Sequence, residues 1–578
     1  MKSNRITQCI MAVVVFLSGN IAAALSQMAT EFVSPVRIVW MSDSTSACIR
    51  HAERLLLPYS GQVSVADGNY ATLKSVDGHT ASILLDFGKE LQGGVEIAAA
   101  IRPVNAPVKL RIRYGESVTE AMSQVGDTLL NATNDHAMRD FTVMSPWLGT
   151  VNTSNSGFRF VRIDLIDKNV EYNLRAVRAI AQYRDIPYLG AFECSDERLN
   201  RIWRTGVYTV HLNMQEYLWD GIKRDRLVWI GDMHPEVMTV NTVFGNQDVV
   251  RKSLDFARND TPLPGWMNGM CSYSLWWIII QDDLYRYQGD KVYLTAQHGY
   301  LKGLTDQLIR YIGKDGKEEL KDGTRFLDWP TSEIPDVIHA GLQSLMVLAM
   351  QSAQSIFTTL QDEPYAGKCA EALRRLRKVK VDTRNNKQAA ALALLAGLSR
   401  NRQKDCEILL KGGADGFSTF YGYYMLEALA ACGKYDEALG IISDYWGAML
   451  DLGATTFWEE LKYSDIRNAA PITEIVPPGK YDIHAGGGAY CYKGLRLSLC
   501  HGWASGPTSW MSRHVLGINP LDAGCTKVAV TPHLGQLTYA KGSFPTPHGV
   551  IRVSHRRGAD GKVISEIDAP EGITIVKE

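Results

Sequence analysis

The feature that most constrains how this chain folds is a change of hydrophobic period that happens twice along it. From Val36 to about Tyr188 the segments are short and β-rich, as in Ala81–Phe87 (ASILLDF), Val108–Tyr114 (VKLRIRY) and Phe158–Leu165 (FRFVRIDL), with Gly, Pro, Asn and Asp between them. That spacing predicts an antiparallel β-sandwich. Near Cys194 the period lengthens. Ser195 can cap a helix, Asp196 and Glu197 follow in its first turn, and Leu199, Ile202, Val207 and Val210 fall near one helical face. Helical stretches follow at Tyr273–Tyr287, Tyr293–Ile312, Val337–Leu360, Tyr365–Lys378, Lys387–Leu398, Phe420–Ala431, Tyr435–Leu450 and Leu495–Val515. They show no heptad seam, which fits an α/α toroid or a large bundle. After Pro520 the β pattern returns in Thr526–Val530, Gly549–Ser554 and Lys562–Ile567. Blocks of this kind predict separate domains: a β-sandwich over 27–190, a helical domain over 191–518 and a small β-sandwich over 519–578.

The first 26 residues read as a signal peptide. Lys2 and Arg5 precede the apolar run Ile10–Leu17, and Ala22, Ala23 and Ala24 offer a small-residue cleavage site. The run is too short to span a bilayer, so the expectation is an exported protein, periplasmic or secreted, with no membrane span after cleavage. Of the ten cysteines, Cys9 lies in this leader; the rest are widely spaced without a CxxC pair, so neither a zinc site nor a disulfide framework is read. With 61 Lys+Arg against 62 Asp+Glu and no long basic run, nucleic acid is excluded as a partner. Thirteen Trp and 25 Tyr lean towards carbohydrate, whose C–H faces stack on aromatic rings.

Two constellations carry the chemistry. The densest polar stretch is Trp219–Glu236 (WDGIKRDRLVWIGDMHPE), which sets Asp220, Asp225, Asp232 and Glu236 among Lys223, Arg224 and Arg226, with Trp219 and Trp229 interleaved. Carboxylates at offsets 0, 5 and 12 cannot share one helical face, so part of this stretch must be loop. The second is Gly453–Asp465 (GATTFWEELKYSD), where Glu459 and Glu460 follow Trp458. Asp328–Trp329 and His501 in SLCHGWASG are lesser candidates; a lone His beside apolar residues is more often structural. Glycoside hydrolysis needs two carboxyl groups across the scissile bond, and a closed fold would be needed to bring these two distant stretches together. No Walker loop, GxGxxG after a strand, HExxH or GxSxG occurs, and no cofactor or metal is implied.

DGIKRDRLVWIGD resembles the signature of the bacterial α-L-rhamnosidases of glycoside hydrolase family 78. GATTFWEEL is similar to that family's GATT-x-WE block, and SLCHGWASGPTSWMSRHVLGI to its SLNH block with the RHV-x-GI that follows. NDHAMRD and GFRFVRI resemble its upstream sandwich, and YAKGSFPTPHGVIRVS its C-terminal sandwich. The resemblance implies a central (α/α)6 toroid between an N-terminal and a small C-terminal β-sandwich, a carbohydrate substrate, and hydrolysis with inversion. It places Asp225 as general acid and Glu459 as general base. Asp220, Arg224, Trp229, Asp232, Trp329, Trp458 and His501 are then expected at the sugar. This chain departs from the pattern in having Asp where the family acid is Glu, and Gly221–Ile222 after Asp220 where the family has Pro. Arg224 and Arg226 flank Asp225 and favour its ionised form, so Asp232 and Glu236 stand as further acid candidates. Two other readings stay open: a toroid glycosidase for another sugar such as a uronic acid, for which Lys223, Arg224 and Arg226 would bind the carboxylate, and a carbohydrate-binding protein without catalysis.

Overall fold

The computed structural model describes residues 28–577, apart from residues 44, 46, 60, 65–67, 77, 103, 125–138 and 489–492. The leader expected over residues 1–26 and most of the NDHAMRD stretch lie outside the described residues.

The spine of the N-terminal domain is one long strand, Ser82–Ala99. It pairs antiparallel with Glu171–Arg184 and Ser156–Leu165, and also with Arg37–Met41 near its start and Gly149–Asn152 near its end. A register shift between Asp86 and Leu91 lets the strand change partners along its length. The period-2 alternation then sorts its side chains. Ile83 and Leu85 enter the main core with Ile112 and Ile163. Leu84 points the other way, with Phe160, against α1 (Val118–Met122). Each such fully buried aliphatic contributes about 1.5–3 kcal/mol. The strands expected around residues 81–87, 108–114 and 158–165 are all present.

Among the described residues the central domain holds six helical hairpins. The outer helices are α2 (Glu197–Asn213), α4 (Asp248–Asp260), α6 (Lys291–Arg310), α8 (Glu363–Leu376), α10 (Arg402–Leu410) and α12 (Tyr435–Asp451). The inner ones are α3 (Ile230–Val243), α5 (Cys271–Gln288), α7 (Pro335–Thr359), α9 (Lys387–Ala396), α11 (Gly422–Ala431) and α13 (Gly506–Trp510). Each inner helix packs on the next, and α13 returns to α3, closing the toroid. Outer helices such as α4 bury one face only, whereas every residue of α3 is buried. That explains why α3 has no helical period to read: a helix enclosed all round needs no polar stripe.

One expected helix is corrected. Leu495–Val515 is not continuous: 3-10 turns at Gly494–Arg496 and Gly502–Ser505 flank His501, which is extended and bridged to Gly221, and only then come α13 and a π turn at Met511–Val515. The Ser498 and Leu499 N–H groups donate to the carboxylates of Glu459 and Glu116 instead of to helical carbonyls.

The C-terminal domain has a four-stranded sheet (Ala191–Cys194, Tyr539–Thr546, Gly549–Arg557, Val563–Asp568) and a three-stranded one (Ile518–Pro520, Lys527–Val530, Thr574–Val576). Ala191–Cys194 thus joins the C-terminal sheet although it precedes the toroid in sequence. Phe544, Ile551 and Val553 share one hydrophobic core with the inner helices. Among the described residues no helix is long and apolar enough to cross a membrane.

Candidate active site

The loop before α3 is closed on itself. Asp220 N–H donates to the Leu227 carbonyl at 3.0 Å, and Leu227 N–H returns a bond to Asp220 Oδ1 at 3.0 Å. Asp225 and Arg226 at its tip have φ of 53° and 52°, the left-handed region that side chains other than Gly, Asn and Asp avoid. The turn sends Arg224 inward and leaves Arg226 partly exposed.

Arg224 organises the site. Its Nη1 donates to Asp225 Oδ2 at 3.0 Å, its Nη2 donates to Glu459 Oε2, and its Nε donates to the Arg496 carbonyl at 2.7 Å. The two expected catalytic carboxylates therefore lie within the span of one guanidinium. Glu459 is fixed a second time: its N–H donates to the Ser498 carbonyl at 2.9 Å, and Ser498 N–H donates to Oε2 at 3.0 Å. Burial alone would raise the Glu459 pKa. The charges of Arg224 and His501, with the Arg224 and Ser498 hydrogen bonds, outweigh it and hold the carboxyl below its ordinary value.

The other acids here behave oppositely. Asp220 is pushed up to about 8, chiefly by burial and also by Asp232, against the pull of His501. Asp232, in the first turn of α3, accepts from Tyr273 Oη at 2.8 Å and lies 3.1 Å from His501 Nε2. Burial still raises its pKa. His501 is raised in spite of burial, by its bond to Asp232 and by the charges of Glu459, Asp232 and Asp220. Glu236, one turn further along α3, is raised well above its usual range by burial, Asp232 and Asp220. Its Oε2 has no hydrogen-bond partner, and its Oε1 lies where Gly502 leaves room: a Cβ there would be 1.4 Å away. A Glu459 carboxyl held below its ordinary value thus sits beside carboxyl groups held above theirs, a divergence of the kind that acid–base chemistry uses.

Half-buried Trp229, Tyr273, Phe326 and half-buried Trp329 form an arc of edge-on contacts, with centroids 6.2, 6.3 and 4.8 Å apart in turn. Asp328 caps the turn after it and accepts from Ser418 Oγ at 2.5 Å. Trp458 is 1% exposed and belongs to the core. A cavity of about 440 Å³ lined by Glu460, Leu461, Lys462, Asp465, Tyr481 and Ile483 begins at the residue after Glu459. Tyr273 had no sequence signal; only folding brings its hydroxyl to Asp232. Nor did Glu116 and Glu120, which pair with Lys223 at 3.0 and 3.4 Å. With His484 these two form the grouping in which carboxylate and imidazole atoms lie within 4.8 Å of one another.

This combination of toroid and flanking sandwiches has counterparts among known proteins. Residues 187–349 match the bacterial alpha-L-rhamnosidase 6 hairpin glycosidase domain, and residues 517–576 match the bacterial alpha-L-rhamnosidase C-terminal domain. The resemblance to the bacterial α-L-rhamnosidases of glycoside hydrolase family 78 is borne out. The chain is 24% identical over 536 residues to an alpha-L-rhamnosidase of Alteromonas sp. (strain LOR), covering 84% of this chain and 54% of that protein. Its fold is similar to the GH78 rhamnosidase of Bacillus sp. GL1 (TM-score 0.73, 20% identity, 92% of this chain and 55% of that one). It is also similar to the Streptomyces avermitilis alpha-L-rhamnosidase complexed with L-rhamnose (TM-score 0.69, 17% identity, 96% and 50%). The chain spans about half the length of the curated relatives it matches.

Proposed function

We propose that this chain is an exported glycoside hydrolase that releases terminal α-L-rhamnose with inversion at the anomeric carbon. Asp225 donates the proton to the leaving oxygen and Glu459 activates the attacking water. The observation that carries this reading is the shared guanidinium: Arg224 bonds both carboxylates at once, so two groups 234 positions apart in sequence act on one small volume. Inversion requires them about 6.5–9.5 Å apart, with water between. The depressed pKa of Glu459 suits a base that must be ionised before water arrives. Asp220, Asp232 and His501 would bond sugar hydroxyls, and Trp229 and Trp329 would stack on the ring, while Trp458 backs the wall. Export is supported by the Cys406–Cys432 disulfide, which links α10 to the end of α11 and belongs in an oxidising compartment.

The uronic-acid reading needs a cation for the substrate carboxylate. Lys223 is held by Glu116, Glu120 and two carbonyls, Arg224 by Asp225 and Glu459, and Arg226 by the Asn155 carbonyl at 3.2 Å. These commitments favour a neutral sugar. The test is a panel of p-nitrophenyl glycosides and rhamnose-bearing polysaccharides, run with wild type, Asp225→Asn and Glu459→Gln. The expected result is release of rhamnose by wild type from both kinds of substrate, by Asp225→Asn from the p-nitrophenyl glycoside but hardly from the polysaccharides, and by Glu459→Gln from neither. Binding without turnover, unchanged in both variants, would favour a lectin-like protein.

A further inference from the structure

We infer that Lys223 is a positioning residue, the point at which the N-terminal sandwich holds the catalytic base in place. This rests on the hydrolase reading above. Lys223 is 1% exposed, yet it lies in the most charged stretch of the chain. Its ammonium donates to the Leu495 and Leu497 carbonyls at 2.9 and 2.5 Å and pairs with Glu116 at 3.0 Å and Glu120 at 3.4 Å. The two carbonyls belong to the segment before His501. The two glutamates belong to the sandwich: Glu116 just after the strand Val108–Gly115, and Glu120 in α1.

The neighbours of these contacts touch Glu459. Arg224 follows Lys223 and donates to Glu459; Ser498 follows Leu497 and donates to the same carboxylate oxygen. Leu499 N–H then donates to Glu116 Oε2 at 2.6 Å, returning to the sandwich. One ammonium ion therefore ties together three segments, and the two hydrogen bonds to Glu459 Oε2 come from Arg224, next to Lys223 itself, and from Ser498, next to its anchor Leu497. The backbone approach is equally close. At Gly157 of the sandwich a Cβ would lie 2.7 Å from Ile222 Cγ1 and 2.8 Å from Lys223 N.

Charge balance explains why a cation is needed. Glu90, Glu116 and Glu120 are all buried around this point. Glu90 is raised well above its usual range and Glu116 to about 7, burial being the first cause of each, whereas Glu120 is lowered because Lys223, His484 and Arg139 outweigh burial. His484 is itself pushed down to about 4 by burial and by Lys223. Its Nε2 lies 3.0 Å from the Leu497 carbonyl and its Nδ1 2.7 Å from Ser117 Oγ. Removing the ammonium would leave the buried Glu120 with the more distant Arg139, at 4.0 Å, and free the 495–499 segment to shift.

The experiment compares wild type with Lys223→Met, Glu120→Gln and Gly157→Ala, the last of which alters no charge. Steady-state kinetics over pH are read with p-nitrophenyl α-L-rhamnoside. Lys223→Met is expected to lower kcat by about 10²-fold, the cost of a small misplacement of reacting groups, with KM within about threefold. The acidic limb of the profile should move to higher pH, because Glu459 loses donors. Gly157→Ala should shift the limb the same way, and Glu120→Gln should be non-additive with Lys223→Met. The ¹³C titration of the Glu459 carboxyl, a readout independent of turnover, should show a raised midpoint in Lys223→Met. Folded variants with wild-type kcat and an unmoved limb would overturn the inference. If wild type turns over no substrate, the hydrolase reading fails by itself, and the carboxyl titration decides the clamp: a raised midpoint supports it and an unchanged one refutes it.

Discussion

Arg224 donates from Nη2 directly to the carboxylate of Glu459 across 235 positions of sequence. This bond opposes the desolvation that would otherwise raise the pKa of Glu459, the residue proposed as base. Arg224→Gln should therefore lower kcat/KM by about 10²–10⁴-fold, and the residual activity should have its acidic limb at higher pH than wild type. Arg224→Lys keeps one charge but cannot reach both carboxylates, so it should recover only part of the loss. A pH–rate profile of the three proteins checks this.

The acid is tested through its leaving group. A nitrophenolate departs without much help from a proton, whereas a sugar or alkyl alcohol does not. Asp225→Asn should lose little on p-nitrophenyl α-L-rhamnoside and about 10²–10⁴-fold on a rhamnosyl disaccharide. Glu459→Gln should lose activity on both. Equal losses of Asp225→Asn on the two substrates would move the acid role to Asp232 or Glu236.

Asp220 makes stability depend on pH. Its folded pKa of about 8 lies far above the ordinary 3.8, so the folded protein keeps a proton that the unfolded chain releases. The stability it contributes is complete below about pH 4 and is lost as pH rises through 8. The urea midpoint should fall between pH 5 and pH 8, and the fall should be smaller in Asp220→Asn. Midpoints measured at both pH values settle it.

Packing sets a limit of its own at Gly502. A Cβ there would meet Glu236 Oε1 at 1.4 Å and Asn213 Nδ2 at 2.8 Å. Both neighbours are enclosed, so neither can swing aside. Gly502→Ala should cost at least about 1–3 kcal/mol, read as a lower urea midpoint with an unchanged slope.

The Cys406–Cys432 bridge closes 26 residues of chain. Cys406→Ser should destabilise by roughly 3 kcal/mol, and a reducing agent should lower the wild-type melting temperature but leave the variant's unchanged.

What was legible in the sequence follows from which faces are wet. Leu199, Ile202, Val207 and Val210 announced α2 because its other face is solvated. α3 is hidden because all its residues are buried, Asp232 and Glu236 included, so the sequence of Trp219–Glu236 shows that part of it is loop but not where its helix begins. Leu495–Val515 looked helical from its apolar content, but its backbone donors were committed to two distant carboxylates, which no local pattern records. Asp225 and Glu459 could be named because they stand in recognisable blocks. Tyr273, Glu116 and Glu120 could not, since each acquires its role only through tertiary contact with Asp232 or Lys223.

The most direct test of the catalytic pair is proton NMR of the first sugar released from p-nitrophenyl α-L-rhamnoside. Asp225 and Glu459 acting through an interposed water predict β-L-rhamnose as the first anomer, with the α form growing in later by mutarotation, and no sugar released by Glu459→Gln. An initial α anomer, or undiminished release by Glu459→Gln, would contradict the account.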